Sequence, residues 1–294
     1  MTTAFVLSGG ANLGAAQAGT LAALGEAGIR PDLIVGTSVG AVNGAWIAGE
    51  GDVEELLDVW RTLRRADVFP TRPVGGLLGF LGLFDHLVSD GGLRRLLRTH
   101  LRFSDLEAAA TPLHVAATDL LSGEGVLLSQ GNALEAILAS SAIPGVLPPV
   151  VIDGRALIDG GVVNNTPISH AVDLGADEVW VVATGYACAL DRPPRGALGV
   201  ALHAATLAIH QRLALDVGRY AGSVDLRVVP PLCPISVTPT DFSQAGDLIR
   251  RAREHTRLWL ERGGAGGSVM AITEDGLADA YRHEHVVHRV PRTC

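Results

Sequence analysis

A chain of 294 residues with 48% hydrophobic residues can bury a sizeable core, which excludes a disordered segment or a disulfide-stapled miniprotein. Its net charge of -8 gives no general attraction to nucleic acid or to anionic membranes. Three scattered cysteines, Cys188, Cys233 and Cys294, are too few for a disulfide framework and fit a reducing compartment.

The chain enters a strand pattern almost at once, at Ala4 to Leu7, without a basic stretch and apolar core of the secretory kind, so a cytoplasmic location is expected. The turn Ser8-Gly9-Gly10-Ala11-Asn12-Leu13-Gly14 follows, and a helix pattern runs from Ala15 to Leu24. Glycines there allow close backbone approach, and the helix start aims unpaired amides at an anion, as an oxyanion hole requires. A dinucleotide loop is the competing functional reading; Ala11 at the third position of GxGxxG speaks against it. The strand Leu33-Ile34-Val35 then leads into Gly36-Thr37-Ser38-Val39-Gly40 and a small-residue helix pattern to Ala48. This arrangement presents Ser38 as a nucleophile on a sharp strand-to-helix elbow shaped by Gly36 and Gly40. An ordinary strand-helix turn explains either motif taken singly and explains the pair less well.

Between Pro73 and Asp85 lies the apolar, glycine-broken stretch 74–84, which reads equally as a buried loop or as a lid or acyl-chain wall with peripheral membrane contact. Arginines flank it: Arg61, Arg64, Arg65 and Arg72 before, and Arg94, Arg95, Arg98 and Arg102 after. They could meet lipid phosphates, although helix-spaced arginines are more often solvated or paired. Further strands are predicted at Leu113 to Ala117, Glu178 to Ala183 and Val224 to Val229, and Asp153-Gly154 joins Val150-Val151-Ile152 to Ala156-Leu157-Ile158 as a hairpin turn. Asp159 ends that second run, before Gly160 and Gly161, which makes it a candidate base. Helix patterns at 196–220 and 243–262 complete the main body. Residues 263–267 read as a glycine-rich linker and 268–294 as a short tail, which divides the chain into a domain at 1–262 and an appendage at 263–294. Alternating strands and helices predict one large α/β domain with a mostly parallel sheet, its helices on both faces and both glycine turns at strand carboxyl ends.

Taken together, these motifs resemble patatin-like phospholipases, serine lipid hydrolases that use a Ser/Asp dyad without histidine. The resemblance rests on Leu7-Ser8-Gly9-Gly10 with Gly14, the Ser38 elbow, Ala117-Thr118-Asp119-Leu120, Ser140-Ser141-Ala142-Ile143-Pro144-Gly145 with Pro148-Pro149, Asp159-Gly160-Gly161, and Asn164-Asn165 with Pro167. It covers Phe5 to about Ala183. It implies a three-layer α/β/α sandwich in which Ser38 attacks a lipid ester, Asp159 acts as base, and the turn bearing Gly9, Gly10, Ala11 and Gly14 holds the oxyanion, with no cofactor. Two places depart from the family pattern: Ala11 replaces a glycine, and Leu13 stands where a basic residue is usual. A weakly active lipid-binding protein therefore stays an alternative.

A Ser/His/Asp triad would have to draw on His203, His210 or His255, but only 37 residues precede Ser38, too few for the several strands an α/β-hydrolase builds before its elbow. His283, His285 and His288 lack a nearby cysteine or acidic pair, so no metal is expected.

Overall fold

The computed structural model describes residues 1–70, 85–185, 193–233, 235–237 and 241–264. The apolar stretch 74–84, most of the glycine-rich linker, the tail and its three histidines lie outside them.

Strands β1 (Thr3–Leu7), β2 (Leu33–Thr37), β3 (Leu113–Asp119), β4 (Gly125–Leu128), β5 (Val150–Ile152), β6 (Arg155–Asp159), β7 (Glu178–Val182) and β8 (Asp225–Val229) form an 8-stranded sheet. Its order is β5-β6-β3-β2-β1-β7-β8, with β4 paired to β3. The run from β3 to β8 is parallel, whereas β4, β5 and β6 are antiparallel. The expected hairpin forms between β5 and β6, where Asp153 and Gly154 take φ values of 50° and 76°, the paired left-handed geometry of a tight hairpin turn.

The helices are α1 (Gly14–Glu26), α2 (Val39–Ala48), α3 (Val53–Thr62), α4 (Arg65–Val68), α5 (Gly91–His100), α6 (Ala133–Ser140), α7 (Gly161–Asn164), α8 (Ile168–Asp173), α9 (Ala197–Tyr220) and α10 (Ala245–Glu261). They lie on both faces of the sheet, as the period-2 alternation of β1 dictates. Phe5 and Leu7 point into a core shared with α1, α2, α3 and α10, while Ala4 and Val6 point into a second core shared with α8 and α9. Residues 14 to 24 of α1 are all buried, because the helix is enclosed by the sheet, α2 and α10. Its closest crossing falls at Gly19, where a Cβ would stand 2.4 Å from the Ile249 carbonyl oxygen of α10.

No helix among the described residues is long and apolar enough to cross a membrane. The cysteines differ from expectation: Cys233 is disulfide-bonded, and the chain's other two cysteines lie outside the described residues. Three of the arginines flanking the 74–84 stretch are engaged with carboxylates. Arg61 pairs with Asp58, Arg94 with Asp90 and Glu135, and Arg102 with Glu55.

Candidate active site

Both glycine turns open at the carboxyl ends of neighbouring parallel strands, β1 and β2, where unpaired helix-start amides face outward. The β2 turn holds Ser38 at φ 53° and ψ -125°, a strained conformation for a residue with a side chain. Space forces this elbow. A Cβ on Gly36 would lie 2.7 Å from the Ala41 backbone, and one on Gly40 would lie 2.1 Å from the Leu7 carbonyl oxygen. The Ser38 amide is anchored by donation to Ser140 Oγ at 2.8 Å, and that hydroxyl donates onward to the Ala116 carbonyl at 2.6 Å.

Asp159 arrives on the antiparallel side of the sheet, paired with Ala117 of β3. Its main chain is held by Asp159 N–H donating to Ala142 O at 2.9 Å and by Thr118 Oγ1 donating to Asp159 O at 3.0 Å. Gly160 can follow only as glycine, since a Cβ would stand 2.3 Å from Ala116 O. The result is a direct contact: Ser38 Oγ donates to Asp159 Oδ2 at 2.7 Å, and the Gly161 amide donates to Oδ1 at 2.7 Å. Burial lifts the Asp159 carboxyl to about 6, against the opposing pull of those hydrogen bonds from Ser38 and Gly161.

In the β1 turn, the amides of Gly9 and Gly14 are already committed. Gly9 N–H donates to Asn165 O at 3.2 Å, and Gly14 N–H donates to the carbonyls of Ala11 and Asn12. These two glycines supply room instead of donors. A Cβ on Gly9 would be 2.5 Å from Asn165 Oδ1, and one on Gly14 would be 2.4 Å from Val39 Cγ2. Among the described residues no acceptor meets the amides of Gly10 and Ala11. Ala11 accepts a left-handed φ of 51° where a glycine would be unstrained. Leu13 is buried in the core and brings no charge to the site.

An apolar cleft opens beside Ser38 and Ala11 and continues between α2, α3 and α5, with Phe242 on its wall. Ser141 Oγ lines its near end, buried and without a hydrogen-bond partner among the described residues. Among the described residues no histidine bonds Ser38 or Asp159. His203 and His210 fall on α9, the helix that covers the opposite face of the sheet, and His255 falls on α10.

Sequence reading missed the residues that hold the loops in place. Thr184 Oγ1 donates to Gly9 O at 2.7 Å and would collide with a Cβ on Gly10 at 2.1 Å. Behind both turns, Asn43 Nδ2 donates to Gly14 O and Gln17 Oε1 at 3.0 Å each, while Trp60 Nε1 donates to Asn43 Oδ1 at 3.0 Å. Asp119, from the quoted Ala117 to Leu120 motif, stays apart from the dyad. Its Oδ1 accepts from the amides of Ser122 and Leu121 and its Oδ2 from Arg155, which hold its carboxyl down at about 2. It braces the turn into β4 and the neighbouring β6.

Ser140 is the anchor most open to test. Ser140→Ala leaves the buried Ser38 amide without its acceptor, so a stability loss of about 1–3 kcal/mol is expected, with a fall in kcat larger than any change in KM. Urea melts and ester kinetics on the same preparation check both.

A serine held in strain against a buried carboxylate, with free amides on one side and an apolar cleft on the other, has the layout that acyl transfer requires. The family is given by the sequence itself: residues 5–172 match the model of patatin-like phospholipases, and the chain belongs to that family. Lysophospholipase nte1 of Aspergillus terreus is 33% identical over 184 residues, which cover 61% of this chain and 12% of that protein. Patatin-like phospholipase domain-containing protein 7 of Rattus norvegicus is 31% identical, covering 62% of this chain and 13% of its own length. An uncharacterized NTE family protein of Mycobacterium bovis is 32% identical over 180 residues, covering 59% of this chain and 46% of that protein. The chain thus spans less than half the length of each of these relatives.

Proposed function

We propose that this protein is a serine lipid acyl hydrolase that cleaves carboxylic esters of lipids through Ser38 and Asp159. The observation that carries the reading is the 2.7 Å hydrogen bond from Ser38 Oγ to the buried Asp159 Oδ2, made at a strained elbow beside an apolar cleft. Asp159 takes the Ser38 proton as Oγ attacks the ester carbonyl, and the amides of Gly10 and Ala11 receive the developing oxyanion. The proton then passes to the leaving alkoxide, which departs as an alcohol. Water attacks the acyl-serine, gives its proton to Asp159, and releases the free acid as Ser38 Oγ recovers a proton.

An ordinary aspartate is a weak base for a hydroxyl. Burial that lifts Asp159 to about 6 brings its basicity closer to neutral pH, which favours proton transfer. Lipid is the favoured substrate class because the cleft beside Ser38 is walled almost entirely by aliphatic and aromatic side chains. The lysophospholipase name of the Aspergillus relatives makes a single-chain phospholipid the first ester to try.

The test is labelling with an active-site-directed fluorophosphonate, read by intact mass and peptide mapping, with and without mixed micelles. One adduct is expected on Ser38, absent in Ser38→Ala and slower to form in Asp159→Asn. A folded wild-type protein that takes no adduct under either condition would favour a lipid-binding role without hydrolysis.

A further inference from the structure

The cleft has a direction. Val39, Val42, Ala45 and Trp46 line it from α2, at the three-to-four spacing of a single helix face, so the cleft follows that helix away from Ser38. Leu56 and Trp60 of α3 and Leu93 and Leu97 of α5 supply facing walls with the same spacing. Trp46 lies eight residues beyond Ser38, a rise of about 12 Å along the helix axis.

At that far end the indole of Trp46 meets the ring of His100, with centroids 5.3 Å apart and planes tilted by 39°. Trp46 is clamped. Its Nε1 donates to Asp52 O at 2.8 Å, Gly51 N–H donates to Trp46 O at 2.9 Å, and a Cβ on Gly51 would stand 2.4 Å from the indole. His100 ends α5 and places a polar ring at the far end of a wall otherwise built from leucines on that helix. Both side chains are half-buried, touching the cleft on one side and solvent on the other.

We propose that the Trp46–His100 pair is the end stop that sets acyl chain length, so that esters of about eight to ten carbons fill the cleft between Ser38 and the rings. An extended chain advances about 1.2 Å per bond, so about ten bonds span the helix rise, and the tilt of helix side chains toward the N-terminus brings the rings within reach of eight. A longer chain must displace a held indole or leave its last methylenes in water, and either costs turnover. This inference rests on the acyl-hydrolase reading and adds the residues that select the substrate.

The experiment compares kcat/KM for p-nitrophenyl esters of four, eight, twelve and sixteen carbons, presented in mixed micelles at fixed mole fraction. Wild type is expected to peak at eight carbons and to fall at least about tenfold by sixteen. Trp46→Ala should raise the sixteen-to-eight ratio at least about tenfold. Val42→Phe, which fills the cleft about halfway to the rings, should move the peak to four carbons. Ratios taken within one protein do not depend on how much of it is folded, and the two variants push in opposite directions. A wild-type profile that stays flat to sixteen carbons, or ratios that neither variant moves, overturns the end stop while leaving the hydrolase reading intact. Failure to cleave any ester, together with no fluorophosphonate adduct, overturns both.

Discussion

At pH 8 the Asp159→Asn protein is expected to resist unfolding better than wild type by about 3 kcal/mol while hydrolysing esters about 10⁴-fold more slowly. Both effects have one cause. Asp159 is buried at 7% exposure, and its carboxyl titrates near 6 where an ordinary one titrates near 3.8. Between those values the folded protein holds a proton that the unfolded chain has lost, so stability falls as pH rises through the window. Above pH 6 the full cost of a buried anion is present, and the gap between 3.8 and about 6 amounts to about 3 kcal/mol. Asparagine fills the same space, can accept from the Gly161 amide and can pair with Ser38, but never ionises. Its advantage should therefore shrink to about 0.5 kcal/mol at pH 4 and vanish below about pH 3, where both side chains are neutral in the folded and unfolded states. Urea denaturation of both proteins at pH 4 and pH 8 reads this directly, and a variant less stable than wild type at pH 8 would sink the argument.

The same titration governs turnover with the opposite sign. In the proposed mechanism Asp159 accepts the Ser38 proton only when ionised, so wild-type kcat/KM should climb with pH, level off above about 6, and fall about tenfold per pH unit below it. On that mechanism, the conditions that ionise Asp159 for proton transfer are those that destabilise the fold, a trade of stability for function at a single buried carboxylate.

Much of this arrangement is legible in the sequence because glycines punctuate it. Gly36, Gly40 and Gly160 each stand where a Cβ would meet backbone within 3 Å, and such positions read as glycine-rich turns between apolar runs. The alternation of β1 and the Asp153-Gly154 turn are equally local signals. Other features have no local signature. Strand β4 is an exposed to half-buried four-residue segment that exists by pairing with β3. The cleft is assembled from α2, α3, α5 and Phe242, whose apolar faces look like core positions until the fold leaves space between them. Nor can a motif say which amides are already spent. Gly9 and Gly14 belong to the turn as fully as Gly10 and Ala11, yet Asn165 occupies the first and the helix start occupies the second. Ser140, Thr184 and Asn165 act on the two turns from distant parts of the chain, a relation only the fold creates.

The second large effect is expected at Gly40, which touches no substrate. Gly40→Ala places a methyl group 2.1 Å from the Leu7 carbonyl oxygen and 2.6 Å from its carbon, well inside contact distance and against backbone that has no rotamer to yield. Leu7 ends β1 and leads directly into the turn of Gly10 and Ala11, while Gly40 lies in the first turn of α2, two residues after Ser38. Relief therefore requires α2, which follows Ser38, and the turn of Gly10 and Ala11 to move apart. A loss of about 3 kcal/mol in stability is expected from overpacking of this kind, together with a fall in kcat of about 10²-fold even in the folded fraction, because a shift of about 1 Å spoils the alignment of attack. Chemical denaturation gives the first quantity. The second is read as turnover per mole of fluorophosphonate-reactive protein, which corrects for unfolded material. Near-normal turnover per reactive site would mean that the two turns tolerate separation, and that Gly40 serves packing alone.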